Sequence, residues 1–83
     1  KETAVGNFEV LSVYPNPANG FFMVEVDAEA NAVLYNVAGQ TVKTQNLQIG
    51  QNRMDIADVA PGVYVLSISL KNGVTKRSRV IVY

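Results

Sequence analysis

The chain has 83 residues, the size of one small domain. Hydrophobic residues make up 48% of it and charged residues 17%, which is enough apolar matter for a core and too little charge for a disordered tail. It has no cysteine and no histidine, which excludes disulfides, thiolate metal sites and a histidine general base. Seven positive and seven negative charges cancel, which argues against bulk binding to nucleic acid.

The charges are unevenly distributed along the chain. Residues 1–42 hold one lysine and five acidic residues, whereas residues 43–83 hold six positive and two acidic residues. We therefore expect the two halves to face each other within one fold. No stretch approaches the roughly 18 apolar residues of a membrane helix. Residues 1–7 lack the apolar region of a signal peptide, and we interpret them as a linker to an upstream part of a longer chain, with the domain at 8–83.

Apolar residues alternate with polar ones at period two, in short runs that Gly, Asn, Asp and Pro interrupt, which predicts strands. The predicted strands are residues 8–14, 21–26, 32–37, 40–46, 52–57, 63–70 and 74–83. The fourth is polar enough to be an edge strand, and the sixth places Tyr64, Leu66 and Ile68 on one face, where we expect the core. Seven short strands predict an all-β sandwich, with a barrel as the alternative, because both bury one face of each strand.

The segment Tyr14-Pro15-Asn16-Pro17, here called the proline corner, is the most distinctive in the chain. Two prolines cannot continue a hydrogen-bonded ladder and restrict the residues before them, so the segment is predicted to be a rigid, extended turn. A pre-ordered turn also loses little entropy on binding, so the corner is a candidate recognition surface. Gly39 is predicted to allow a tight turn, and Asn72-Gly73 favours a type I′ hairpin turn.

Paired carboxylates are the remaining candidates for catalysis or metal binding. Asp55 with Asp58, and Asp27 with Glu29, lie in or beside predicted turns, where acidic residues are common for turn formation. Asp27, Glu29 and Asn31 alternate as oxygen ligands in a calcium loop do, but no glycine among them supplies the sharp turn. We therefore expect solvated turns, and no catalytic, cofactor or metal site.

Four positive residues lie close together near the end of the chain: Lys71, Lys76, Arg77 and Arg79. One interpretation is a basic recognition strip. The other is that charges on an edge strand prevent edge-to-edge aggregation. Both remain open, because one strand can serve both purposes.

Short sequence blocks follow one another from residue 13 to residue 83. They are the proline corner with Val13 and Ala18, the segment 34–40, Leu47 with Gly50, the segment 54–56 with Val59, the segment 62–65 with Ile68, and Lys76 with the segment 79–82. In this order they resemble the C-terminal sorting domains, type A, of cargo exported by the type IX (Por) secretion system. The chain departs from that pattern at Tyr83, where many members end in a basic residue.

The resemblance implies a seven-stranded, Ig-like antiparallel β-sandwich that is not an enzyme but a secretion signal. It implies that an attached cargo passes through the periplasm of a Gram-negative bacterium and is delivered by the outer-membrane translocon to the cell surface or the medium. A sortase-like surface peptidase commonly removes the domain in this family. The expected partners are this machinery and the upstream cargo, with no nucleic acid and no membrane span; a strand-exchanged dimer is compatible with this function.

Recognition is expected at the proline corner and on the last strand, whose solvent-facing members are predicted to be Lys76, Ser78, Val80 and Val82. The candidate residues are Lys76, Arg77, Ser78, Arg79, Val80, Val82, Tyr14, Pro15, Asn16 and Pro17, with Gly39 and Gly62 acting through backbone geometry. Two other functions remain: an Ig-like carbohydrate- or protein-binding module of a secreted enzyme or adhesin, and a structural module that assembles by strand addition. The absence of tryptophan and the small number of aromatic residues disfavour the carbohydrate-binding module.

Overall fold

The computed structural model describes residues 10–15, 18–70 and 73–83, and within them it contains seven strands and no helix. The strands are β1 (Val10–Tyr14), β2 (Phe21–Val26), β3 (Ala30–Tyr35), β4 (Thr41–Leu47), β5 (Gly50–Asp55), β6 (Gly62–Ser69) and β7 (Thr75–Val82). One sheet has the order β1-β2-β5 and the other β4-β3-β6-β7, with every neighbouring pair antiparallel. The predicted all-β sandwich is confirmed. The linker expected at residues 1–7 lies outside the described residues.

The core lies between the two sheets, because one side of nearly every strand is apolar and faces the other sheet. Its fully buried large side chains are Phe22, Val24, Val26, Leu34, Leu47, Met54, Ile56, Leu66, Ile68 and Val80. The three residues predicted as core in the sixth strand, Tyr64, Leu66 and Ile68, are all buried. Tyr64 also donates a hydrogen bond from its hydroxyl to the Ala60 carbonyl, the tyrosine corner of Ig-like sandwiches.

Two strands, β3 and β5, each lie two residues before their predicted positions, and side-chain hydrogen bonds bear on both differences. The Asn36 carboxamide oxygen accepts from the Ala38 and Gln40 amides at 3.0 and 2.9 Å, so the turn starts at Asn36 and β3 ends at Tyr35. Gly50 lies between the fourth and fifth predicted strands, but β5 already begins there. The Asn52 side chain accepts from the Gln48 amide and donates to the Gln48 carbonyl, both at 2.9 Å, which tightens the β4–β5 connection.

The edges of β4 and β5 are linked by side chains. Gln45 of β4, confirmed as an edge strand, donates to the carbonyl of Arg53 in β5 at 3.0 Å. Lys43 lies 3.0 Å from the carboxylate of Asp58. The hydrogen bond from Lys43, together with a backbone hydrogen bond and the lysine charge, lowers the pKa of Asp58. These contacts close one side of the sandwich without backbone pairing.

Gly39 lies at the third position of a three-residue hairpin loop. The Asn36 amide donates to the Gln40 carbonyl and the Gly39 amide donates to the Asn36 carbonyl, each at 3.0 Å. Gly39 has a φ of +85°, which only glycine adopts at little cost. The β6–β7 loop has the same two hydrogen bonds, since the Leu70 amide donates to the Val74 carbonyl and the Gly73 amide donates to the Leu70 carbonyl. Lys71 and Asn72, on which the predicted type I′ turn depends, lie outside the described residues.

Leu66→Ala is expected to lower the free energy of unfolding by about 2–5 kcal/mol, because it leaves a cavity in a fully buried site. That is a large part of the roughly 5 kcal/mol expected for so small a domain. Val63→Ala is the matched control, since Val63 lies on the opposite face of the same strand and is 43% exposed. Its expected cost is below about 1 kcal/mol. Urea denaturation of both variants measures the difference, and equal losses would contradict the assignment of the core face.

Gly39→Ala is expected to cost about 1–2 kcal/mol, because the positive φ brings an added Cβ close to the following carbonyl. No other heavy atom lies within 4 Å of that Cβ position, so the cost comes from the backbone alone. Gly39→Asn is the control and should cost less, since asparagine tolerates this conformation better. Thermal denaturation of the two variants measures which of them is the less stable. If steric crowding determined the cost, the larger asparagine side chain would be the more destabilising.

Candidate recognition surface

The last strand, β7, pairs with β6 along its whole length, from Gly62 opposite Val82 to Ser69 opposite Thr75. Its side chains alternate between two faces. Val80 is 0% exposed and Val82 3% exposed, and both belong to the core. The prediction that these two valines face solvent is therefore wrong. Period two distinguishes the two faces of a strand, but the position of the second sheet decides which of them is buried.

The positive residues of β7 lie on both of its faces. Lys76 and Ser78 share the side of Val80 and Val82, but toward the start of the strand this side passes from core to solvent. Ser78 is half-buried and Lys76 is exposed. Arg77 and Arg79 are also exposed and lie on the opposite face. The described part of the predicted basic strip is thus divided: Arg77 and Arg79 share one face of β7 and Lys76 lies on the other, whereas Lys71 lies outside the described residues.

The proline corner connects β1 of one sheet to the edge of the other. Tyr14 and Pro15, joined by a cis peptide bond, are exposed, whereas Asn16 and Pro17 lie outside the described residues. Ala18 is fully buried and forms a parallel bridge beside Val82. Its amide donates to the Ile81 carbonyl at 2.7 Å, and its carbonyl accepts from the Tyr83 amide at 2.9 Å. Ala18, the residue that follows the corner, is therefore fixed to the end of β7.

The two glycines predicted to act through backbone geometry lie in different surroundings. Gly39 is in an exposed turn with φ +85°. Gly62 begins β6 with φ +158°, and an added Cβ would lie 3.7 Å from Cε1 of Tyr64. Gly62 also pairs with Val82, so it adjoins the end of β7, whereas Gly39 lies in the β3–β4 connection.

Sequence reasoning missed an apolar region on the outer face of the four-stranded sheet. Val63 of β6 lies directly opposite Ile81 of β7, and the two are 43% and 36% exposed. In the next row, Tyr35 lies opposite Val65 and both are half-buried. We call Tyr35, Val63, Val65 and Ile81 the valine patch. The sequence feature that could have indicated this region is the face of β6 opposite the core, which carries valines in its first half and serines in its second half.

Two of the four carboxylates considered as catalytic candidates, Asp55 and Asp58, are paired with cations. Asp55 accepts from the Arg53 guanidinium at 2.7 Å, and that guanidinium lies 4.1 Å from the centre of the Phe21 ring. Asp58 pairs with Lys43. Within the described parts of the chain, no group of three or more acidic side chains is arranged to hold a metal ion. The pairs have a local structural role at the β5 edge and in the following turn.

An open cavity of about 710 Å³ lies at one end of the sandwich and contains none of the predicted site residues. Its lining includes Glu29, Asn31, Asn46, Gln48 and Ser69, with Leu47 and Leu70 among its apolar members. None of the described residues that line it is aromatic, so these residues offer no stacking platform for a sugar ring.

One family model, described as the secretion system C-terminal sorting domain, matches residues 12–83. No curated protein and no solved structure shows a significant match. The part of the chain that the structure describes contains no helix long and apolar enough to cross a membrane. The match extends from within β1 to the end of β7, and so includes the proline corner, Gly39, Gly62 and the basic residues. On this evidence the chain belongs to the family of secretion system C-terminal sorting domains, the sorting signals of type IX secretion.

Proposed function

We propose that this domain directs an attached cargo protein through the type IX outer-membrane translocon to the cell surface or the medium, after transit of the periplasm. The observation that carries the proposal is the family match over residues 12–83. The match covers all of the seven strands except the first two residues of β1. The domain acts by being bound and performs no chemistry on its cargo. A surface sortase-like peptidase is the proposed partner that removes it after export.

The proposed recognition residues are the solvent-exposed members of β7 together with the proline corner. Lys76, Arg77 and Arg79 are exposed, so a partner can reach their charges without unfolding the domain. Val80 and Val82 contribute indirectly, because their burial holds β7 against the core. Charges at the rim of an interface mainly increase the association rate and the specificity of binding. Exposed charges on β7 are therefore suited to the recognition of this domain by its partner.

A reporter that is targeted to the periplasm and carries residues 1–83 at its C-terminus is expected to reach the cell surface only when the translocon is intact. The measurement is protease accessibility of the reporter in whole cells, in strains with and without the translocon. The same reporter without the domain is the control and should stay in the periplasm. Equal surface exposure of the reporter in both strains would contradict the proposed sorting function.

Replacing Lys76, Arg77 and Arg79 together with Gln is expected to leave the domain folded and to trap the reporter in the periplasm. All three side chains are exposed, and exposed charges typically contribute below about 1 kcal/mol each, so the melting curve should hardly move. Export should fall because the charges that steer docking are lost. Cell fractionation and circular dichroism measure the two effects separately.

The matched control is Lys43→Gln with Arg53→Gln, which removes two positive charges from the β4–β5 side of the sandwich. This control should be exported normally. Normal export of the folded triple variant would show that the charges of β7 serve only to protect an edge, and recognition would then lie in the proline corner or the shape of the sandwich.

A further inference from the structure

Asn19 and Gly20 lie between two fixed points of the backbone, in the segment that leads from the proline corner into β2. On one side, the amide and the carbonyl of Ala18 are both hydrogen-bonded to the end of β7, at 2.7 and 2.9 Å. On the other side, the carbonyl of Gly20 accepts from the amide of the buried Ile56 at 2.9 Å. The side chain of Asn19 and the amide of Gly20 lie between these two anchors.

Neither of these two groups is used by the fold. Asn19 is exposed, and its carboxamide forms no hydrogen bond with any residue that the structure describes. Within residues 10–15, 18–70 and 73–83, the Gly20 amide likewise has no acceptor. By contrast, the carboxamides of Asn36 and Asn52 are held by hydrogen bonds that tighten turns. At residues 19–20, therefore, a free carboxamide carbon is followed in the chain by a free backbone nitrogen.

Glycine at position 20 leaves the approach between these two atoms open. Gly20 has a φ of +85° and no Cβ, so no side chain on residue 20 shields its nitrogen from the side chain of Asn19. A Cβ built at Gly20 would have no heavy atom of the described fold within 4 Å beyond its chain neighbours, so the site is uncrowded. Water can reach it, because Asn19 is exposed.

We propose that Asn19 is a site of spontaneous deamidation, at which the side chain is converted to aspartate or isoaspartate through a cyclic imide with Gly20. The Gly20 nitrogen attacks Cγ of Asn19, a C–N bond forms, and the bond from Cγ to the side-chain nitrogen breaks. That nitrogen leaves as ammonia with the proton of the Gly20 amide. Water then opens the imide, at Cγ to give aspartate or at the main-chain carbonyl carbon to give isoaspartate. One water is consumed for each ammonia released, and nothing is oxidised or reduced.

Isoaspartate alters this segment more than aspartate does. Its main chain passes through the former side chain, which adds one methylene group between Ala18 and Gly20. Because the segment is fixed at both ends, the added length displaces the hydrogen bonds of Ala18 to β7 or that of Gly20 to Ile56. A loss equivalent to one hydrogen bond lowers the melting temperature of so small a domain by about 4–8 °C. The modification therefore weakens the attachment of the proline corner's end to β7, and this inference does not depend on the sorting function.

The test is incubation of the folded 83-residue chain in a mildly alkaline buffer, followed by tryptic digestion and mass spectrometry. Each conversion raises the mass of the residue by one unit. Asn31 and Asn46 are internal controls, because both are exposed and neither side chain bonds to a described residue. Each of them precedes a residue with a Cβ in a paired strand. Asn19 is expected to convert at least about tenfold faster than either, because only its successor lacks a Cβ.

The sequence contains a second Asn-Gly pair, Asn72-Gly73, whose asparagine lies outside the described residues. Trypsin cleaves after Lys71, so this pair is released in a different peptide from Asn19. Its conversion is therefore measured separately and does not contribute to the signal from Asn19.

Two variants of Asn19 separate the chemistry from its structural effect. Asn19→Gln keeps the carboxamide but would have to close a larger ring, so the modification at residue 19 should disappear while the melting curve stays unchanged. Asn19→Asp carries the charge of the product without the added methylene group and should melt like the wild type. The modified wild-type fraction, separated by ion exchange, should melt about 4–8 °C lower than Asn19→Asp.

Two results would overturn the inference. Conversion of Asn19 no faster than that of Asn31 and Asn46 would show that the fold holds the carboxamide away from the Gly20 nitrogen. A modified fraction rich in isoaspartate that melts like Asn19→Asp would show that the segment is not held between the two anchors as described. Neither result bears on the sorting function, which the export of the reporter tests.

Discussion

The pairing of β7 with β6 over eight residues is the interaction on which the fold and the candidate surface both depend. It brings Val80 and Val82 into the core beside Tyr64 and Leu66, and by the same alternation it turns Arg77, Arg79 and Ile81 outward. The last strand is therefore a structural member of the sandwich and not a tail available for binding. A partner that binds β7 in the folded state contacts its outward-facing side chains and the valine patch beside it.

A second constraint ties Ala18, the residue that follows the proline corner, to that strand. Ala18 exchanges hydrogen bonds with Ile81 and Tyr83 at 2.7 and 2.9 Å, so segments more than sixty residues apart in the sequence share one edge of the molecule. A change in the corner that displaces Ala18 also removes two backbone partners from the end of β7. Its effect on export cannot then be attributed to direct recognition unless the end of β7 is shown to be intact. Ala18 and the end of β7 are best treated as one structural unit.

The sequence was sufficient to predict the fold class, the number of strands and the core residues of β6, because each depends on local alternation of apolar and polar residues. It was insufficient for the buried side of β7, where Val80 and Val82 alternate with Arg79 and Ile81 and either face has apolar members. Only the position of the other sheet decides between them. The ends of strands were likewise set by single side chains, Asn36 and Asn52, whose hydrogen bonds tighten turns in ways that periodicity does not record.

The valine patch escaped sequence reasoning for a related reason, since its members come from three strands whose order in the sheet was unknown.

The division of the basic residues between two faces bears on the two interpretations left open by the sequence. Lys76 lies on the side of β7 that faces the other sheet, and it is exposed where that side leaves the core. An inward-facing charge on an edge strand is a known means of preventing another strand from adding to the sheet. Arg77 and Arg79 instead adjoin the apolar surface of the outer face, where a charge can help a partner dock. We therefore propose that Lys76 protects the edge of the sheet as well as taking part in recognition, whereas Arg77 and Arg79 adjoin the surface that a partner would contact.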